Sequence, residues 1–150
     1  MSDSIGSLTI SQLKDAYISG SISPVDAISN LIDEIENLDS DVGAYISIDK
    51  DSALESAAKV DISQPLGGIP IAIKDLINVS GQSCSCASKI LKDSYTSTYD
   101  ATAVSRLKSN GAIPLGRVNM DEFAMGSSTE NSGFHTVSYT HLTLPTTPYV

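Results

Sequence analysis

Basic residues are scarce in this chain. Nine Lys and Arg stand against eighteen Asp and Glu, for a formal charge of −9 over 150 residues, and no Lys/Arg cluster forms anywhere along it. Direct nucleic-acid binding by this segment is therefore disfavoured. Long apolar runs are also missing. Nothing approaches the roughly 18 to 20 residues needed to span a bilayer, so no membrane contact is expected. The opening Met1-Ser2-Asp3-Ser4-Ile5 has neither a basic nor an apolar stretch, and reads neither as a secretory signal nor as an Arg-rich transit peptide. A cytoplasmic location is the expectation, with an organellar one still open. Without a secretory signal, the sequon Asn78-Val79-Ser80 is expected to be idle. Cysteine is limited to Cys84 and Cys86, and residues so close would close a ring too small to stabilise much. Together with His135 and His141 they make a poor zinc set, because C-x-C is too tight and the histidines lie far along the chain. No metal site is expected. No G-x-x-x-x-G-K-[ST] occurs, which excludes a phosphate-binding loop of that type.

What is present suits one domain with a real core, since 41% of the residues are hydrophobic. Thr9 and Gln12 form a capping box before a first helix, Leu8 and Leu13 are placed as a staple, and Ile10, Leu13 and Tyr17 share a face that Gly20 ends. A second helix starts at Ser23 with Pro24 at its first position and Asp26 two further on. Val25, Ile28, Leu31, Ile32, Ile35 and Leu38 recur along it at helical spacing, as a core face or a subunit interface. Ala44–Ile48 reads as a strand, Ser52–Lys59 as a short helix, and Ser80–Ser88 as a loop. Asp100 is expected to cap a helix closed by Gly111, ahead of a strand at Ile113–Gly116. Strand, helix and strand in this order predict a right-handed βαβ crossover, and with it an α/β domain.

Two segments carry chemistry. Ile69-Pro70-Ile71-Ala72-Ile73, bounded by the Gly67-Gly68 turn, is a short apolar run of the kind buried on both faces of a sheet, and Lys74 ends it. An ammonium held there is poorly solvated, and a neutral lysine is a base. The local pattern fits equally a lysine that extends its head into water at a strand end. The second segment, Asn119 to Ser132, follows the next strand, at the edge where open α/β sheets bind ligands. Its Met125-Gly126-Ser127-Ser128 turn is suited to presenting backbone N–H groups and hydroxyls to a small polar ligand, although an ordinary Ser/Thr/Asn loop has the same composition.

Taken together, Gly67-Gly68-Ile69-Pro70-Ile71-Ala72-Ile73-Lys74-Asp75 and the run from Gly116 to Ser132 resemble the amidase signature family. Within it they are most similar to the glutamine-hydrolysing branch found in glutamyl-tRNA(Gln) amidotransferases. Cys86-Ala87-Ser88-Lys89-Ile90-Leu91 and the Asp100-to-Gly111 helix follow in the same order. The resemblance implies a mixed β-sheet flanked by helices, with only its N-terminal part present, over residues 1–138. It implies a Ser–cis-Ser–Lys triad that releases ammonia from glutamine, with Lys74 as base and Met125, Gly126, Ser127 and, less firmly matched, Ser128 as substrate-pocket wall. It also implies two partner subunits in a heterotrimer. One of them uses ATP and magnesium to convert Glu-tRNA(Gln) to Gln-tRNA(Gln), so that this chain needs no cofactor and meets tRNA only through the complex. The family's Gly-Gly-Ser-Ser-Gly-Gly-Ser segment is missing. From Tyr139 to Val150 the chain has no glycine, serine or charge, and residues 139–150 read as a tail foreign to the family. The fragment alone is therefore expected to be inactive. A stand-alone amidase and a non-catalytic remnant are the alternatives.

Overall fold

The computed structural model describes residues 5–137. Helix α1 (Ile10–Ser19) begins with the Thr9–Gln12 capping box and ends at Gly20, whose φ of 72° is the left-handed conformation that glycine adopts most readily. Helix α2 (Pro24–Val42) repeats the device, with Ser23 and Asp26 as the box and Pro24 at the first turn. Strand β1 (Tyr45–Ile48) leads into α3 (Lys50–Lys59), which starts two residues ahead of the expected Ser52 because Asp49 accepts the Ser52 N–H as its cap. Strand β2 (Pro70–Lys74), α4 (Thr102–Ser109) and β3 (Ile113–Val118) follow, and short 3-10 turns lie at Ile5–Ser7 and Glu122–Ala124. The expected Asp100 cap of α4 is not made. The Asp100 carboxylate instead takes the Ser80 N–H at 2.8 Å and the Lys108 ammonium at 2.9 Å. Burial alone would raise that carboxyl, but these two donors outweigh it and hold it below its ordinary value.

The sheet order is β1-β3-β2. β2 and β3 are parallel, joined through α4, while β1 runs antiparallel to β3, so the sheet is mixed as the resemblance implied. Ile28 and Ile32 of α2, Ala53 and Ala57 of α3, and Ile113 and Leu115 of β3 form the main core. Fully burying each isoleucine there contributes roughly 1.5–3 kcal/mol. Of the apolar face expected for α1 and α2, Leu13, Tyr17, Ile28 and Ile32 are buried, whereas Ile10 and Leu38 are 58% and 62% exposed.

The expectation that β2 is buried on both faces needs correction. β2 is an edge strand of the described sheet, and its side chains alternate. Ile71 and Ile73 pack with Val104 of α4, while Ala72 and Lys74 are exposed. The strand is anchored from behind, where the Tyr17 hydroxyl donates to the Gly68 carbonyl at 3.0 Å. A Cβ at Gly68, whose φ is 84°, would lie 2.9 Å from the Tyr17 ring. Burial pushes the Tyr17 phenol up to about 12. No helix among the described residues is long and apolar enough to cross a membrane.

Candidate functional site

The carboxyl end of β2 is a polar knot centred on Asp75, which is 2% exposed. Its backbone N–H donates to Val118 of β3, which keeps the strand end in register. Its carbonyl accepts from the Cys86 N–H at 3.1 Å and the Cys84 thiol at 3.3 Å. Its carboxylate accepts from the Ser85 N–H at 3.2 Å, the Ser85 hydroxyl and the Ala87 N–H at 2.9 Å, and from Arg117 Nε at 3.3 Å. Both partners of the Asp75–Arg117 pair are buried, and the two Nη groups of Arg117 have no hydrogen-bond partner among the described residues. Burial pushes the Cys84 thiol up from its ordinary value, against the pull of the Arg117 charge.

The 84–88 loop held in this way is itself the seat of a second loop. Phe123 N–H donates to the Cys86 carbonyl at 3.0 Å, and Gly133 N–H to the Ala87 carbonyl at 2.7 Å. Between these points Asp121 shapes the turn, accepting the Thr129 and Asn131 N–H groups at 3.0 Å each. Burial would raise the Asp121 carboxyl, but the backbone donors outweigh it and hold it below the ordinary carboxylate value. A Cβ on Gly126 would lie 2.4 Å from Asp121 Cγ, so the carboxylate leaves room at that position for glycine alone.

Backbone strain gathers at the same place. Cys86, Ala87, Phe123, Ala124 and Thr129 all have φ between 50° and 63°, and they are the non-glycine residues with positive φ among those described. Such conformations cost on the order of 1–3 kcal/mol each and cluster where a site is held in a set shape.

The structure thus brings the two sequence motifs to one end of the sheet, with the 84–88 loop as the bridge. Lys74 sits at the strand end beside the knot, exposed rather than desolvated. Met125, Gly126 and Ser127 are exposed on the second loop, and Ser128 is half-buried with its hydroxyl on Glu130 at 2.9 Å. Among the described residues, no hydrogen bond joins the Lys74 side chain to Met125–Ser128. Asp75, Arg117 and Asp121 escaped sequence reasoning, although an acid after one strand and an arginine within the next was a signal for a buried pair. A cavity of about 630 Å³ lies elsewhere, lined by Asp49, Gln64, Gln82 and Lys108 among others and by none of the expected site residues. No cluster of metal-ligating side chains occurs among the described residues. His141 and the 139–150 tail lie outside the described residues.

The chain matches the Amidase family over residues 26–141. It is 50% identical over 125 residues to the A-type chain of the glutamyl-tRNA(Gln) amidotransferase of Methylacidiphilum infernorum, covering 83% of this chain and 25% of that relative. To the corresponding protein of Akkermansia muciniphila it is 51% identical over 126 residues, covering 84% and 26%. The crystal structure of the corresponding glutamyl-tRNA(Gln) amidotransferase chain from Thermotoga maritima superposes with a TM-score of 0.69 at 34% identity, covering 89% of this chain and 27% of that one. The chain spans about a quarter of the length of the curated relatives it matches.

Proposed function

This chain belongs to the amidase family, and from that premise we propose that it is the N-terminal part of a glutamine-hydrolysing subunit of a tRNA-dependent amidotransferase. The observation that carries the reading is the junction of the Lys74 strand end with the strained 121–133 loop through Cys86 and Ala87. In this reading Lys74 is the base of a Ser–cis-Ser–Lys triad whose two serines lie in sequence that this chain does not contain. Lys74 takes a proton relayed through the cis serine and thereby activates the second serine for attack on the glutamine side-chain amide. The carboxamide nitrogen leaves as ammonia, and water then hydrolyses the acyl-enzyme to glutamate. The Met125–Ser128 turn forms part of the amide pocket. The exposed face of β2 is covered, in the complete protein, by the remainder of the domain, and that cover strips water from the Lys74 amine. The ammonia passes to a partner subunit that activates Glu-tRNA(Gln) with ATP and magnesium, in a complex with two other subunits.

The test completes this chain with the C-terminal three-quarters of the Methylacidiphilum infernorum relative and measures ammonia release from glutamine. Release that Lys74→Ala abolishes is expected, and release unaffected by that substitution would refute the assignment of the base. Co-purification with two further subunits is expected as well; a fully active completed protein that binds no partner would favour the stand-alone amidase.

A further inference from the structure

We propose that Asp75 is a positioning residue, which with Arg117 holds the Lys74 strand end and the Met125–Ser128 turn in one fixed relation. The proposal rests on the reading of Lys74 as the base. Asp75 is covalently next to Lys74, and Asp75 and Val118 are tied by a backbone hydrogen bond, so the position of the carboxylate and the position of the lysine backbone are not independent. The same carboxylate sets the 84–88 loop by gathering Ser85 and Ala87. That loop offers the carbonyls of Cys86 and Ala87 to Phe123 and Gly133, which bracket the turn. The fit at the far end is close, since a Cβ on Gly133 would lie 2.5 Å from the Ala87 carbonyl oxygen.

Only an ionised carboxylate, which accepts on both oxygens and donates nothing, suits this gathering of donors. An asparagine would turn an N–H toward one of them. Arg117 supplies the neutralising charge, yet its two buried Nη groups have no partner among the described residues. A buried pair that leaves donors unsatisfied is a weak way to stabilise a fold. Placement of the two loops, rather than stability alone, is the role that this geometry gives the pair.

The experiment uses the completed chain described above, with Asp75→Asn, Arg117→Met and Arg117→Lys. Amide hydrogen exchange at Phe123 and Gly133, neither of which touches Asp75, is expected to quicken about tenfold or more in Asp75→Asn, with α2 and α3 unchanged. For ammonia release, kcat is expected to fall about tenfold or more while KM stays within about threefold, and Arg117→Lys to recover most of what Arg117→Met loses. Unchanged exchange at Phe123 and Gly133 in folded Asp75→Asn would overturn the proposal, as would a loss of kcat that only tracks the folded fraction. Should Asp75→Asn fail to fold, Arg117→Met decides the question, because it removes the guanidinium that fixes the carboxylate and leaves the loop donors alone to hold it. Faster exchange at the same two amides supports the proposal, and none sinks it. If the unsubstituted completed chain shows no Lys74-dependent ammonia release, the functional reading fails, while the exchange measurement still decides whether Asp75 positions the loops.

Discussion

Around Ile28, Ala53 and Ile113 the neighbours are other apolar side chains, whereas Asp75 and Asp121 are each surrounded by donors that hydrogen-bond to their carboxylates. The first layer, α2 and α3 against β3, draws its stability from area removed from water. Its backbone is regular, and small changes of side-chain shape are absorbed by repacking. The second layer, the 84–88 and 121–133 loops, draws its stability from charge and from backbone donors aimed at carboxylates, with residues held at positive φ. The apolar layer is therefore indifferent to pH and sensitive to volume. The loop layer is sensitive to charge, to acid and to a single added methyl group. Chemistry belongs in the second kind of layer, because a held, strained loop fixes polar groups in space, and the apolar core has none to offer.

The sharpest break of this contrast is Asp75→Ala. It leaves the Arg117 guanidinium buried without its ionic partner and is expected to cost about 3–5 kcal/mol in urea unfolding. Adding Arg117→Met should restore part of that loss, and strict additivity would argue against a coupled pair. Ile28→Ala in the apolar layer is expected to cost about 2–4 kcal/mol through the cavity it leaves. It should do so equally at pH 4 and pH 7, and a strong pH dependence would blur the distinction between the layers.

Gly126→Ala places a methyl group against the Asp121 carboxylate and is expected to cost about 1–3 kcal/mol. The effect should read out as faster exchange at Thr129 and Asn131, with α2 and α3 unaffected. Acid should do the same without mutation. The Asp121 carboxyl lies below its unfolded value in the folded chain, so its contribution is complete above roughly pH 4 and is lost as the pH falls through the folded value. Protection factors at Thr129 and Asn131, corrected for the intrinsic pH dependence of amide exchange, that do not fall on acidification would contradict this. The smallest effect belongs to Tyr17→Phe, about 1 kcal/mol for the lost bond to Gly68. With the phenol raised to about 12, the Tyr17 contribution is full below pH 10 and disappears as the pH climbs toward 12. The phenylalanine variant should lack that alkaline limb.

The two layers also differ in how far the sequence disclosed them. The Thr9–Gln12 capping box, the Ser23 cap and the Gly20 stop were legible because each is set by residues within one turn of one another, whereas of the α2 face only Ile28 and Ile32 are buried and Val25 and Leu38 are exposed. The strands were found, but their order was not. The burial assigned to Lys74 assumed neighbours on both sides, and sheet order is decided by segments far apart in the chain. Asp100 was given to the nearest helix, whereas Ser80 and Lys108 claim it in space. In the candidate site the Lys74 strand and the Met125–Ser128 turn were visible through resemblance. The Asp75–Arg117 pair, which spans 42 positions, showed only as an acid after one strand and an arginine within the next, and the positive φ values at Cys86, Ala87 and Phe123 have no local signature.

The sheet order β1-β3-β2 has a consequence for how this chain comes into being. Its central strand is the last of the three to leave the ribosome, so β1 and β2 emerge with no strand to pair with until Ile113–Val118 has been synthesised. Until then the helical hairpin of α1 and α2 can form, but the apolar side chains of β2 await both β3 and α4. Closing the sheet is a late, long-range event of the slow kind. The nascent chain is most exposed to mispairing and to chaperone capture in the interval between Lys74 and Val118.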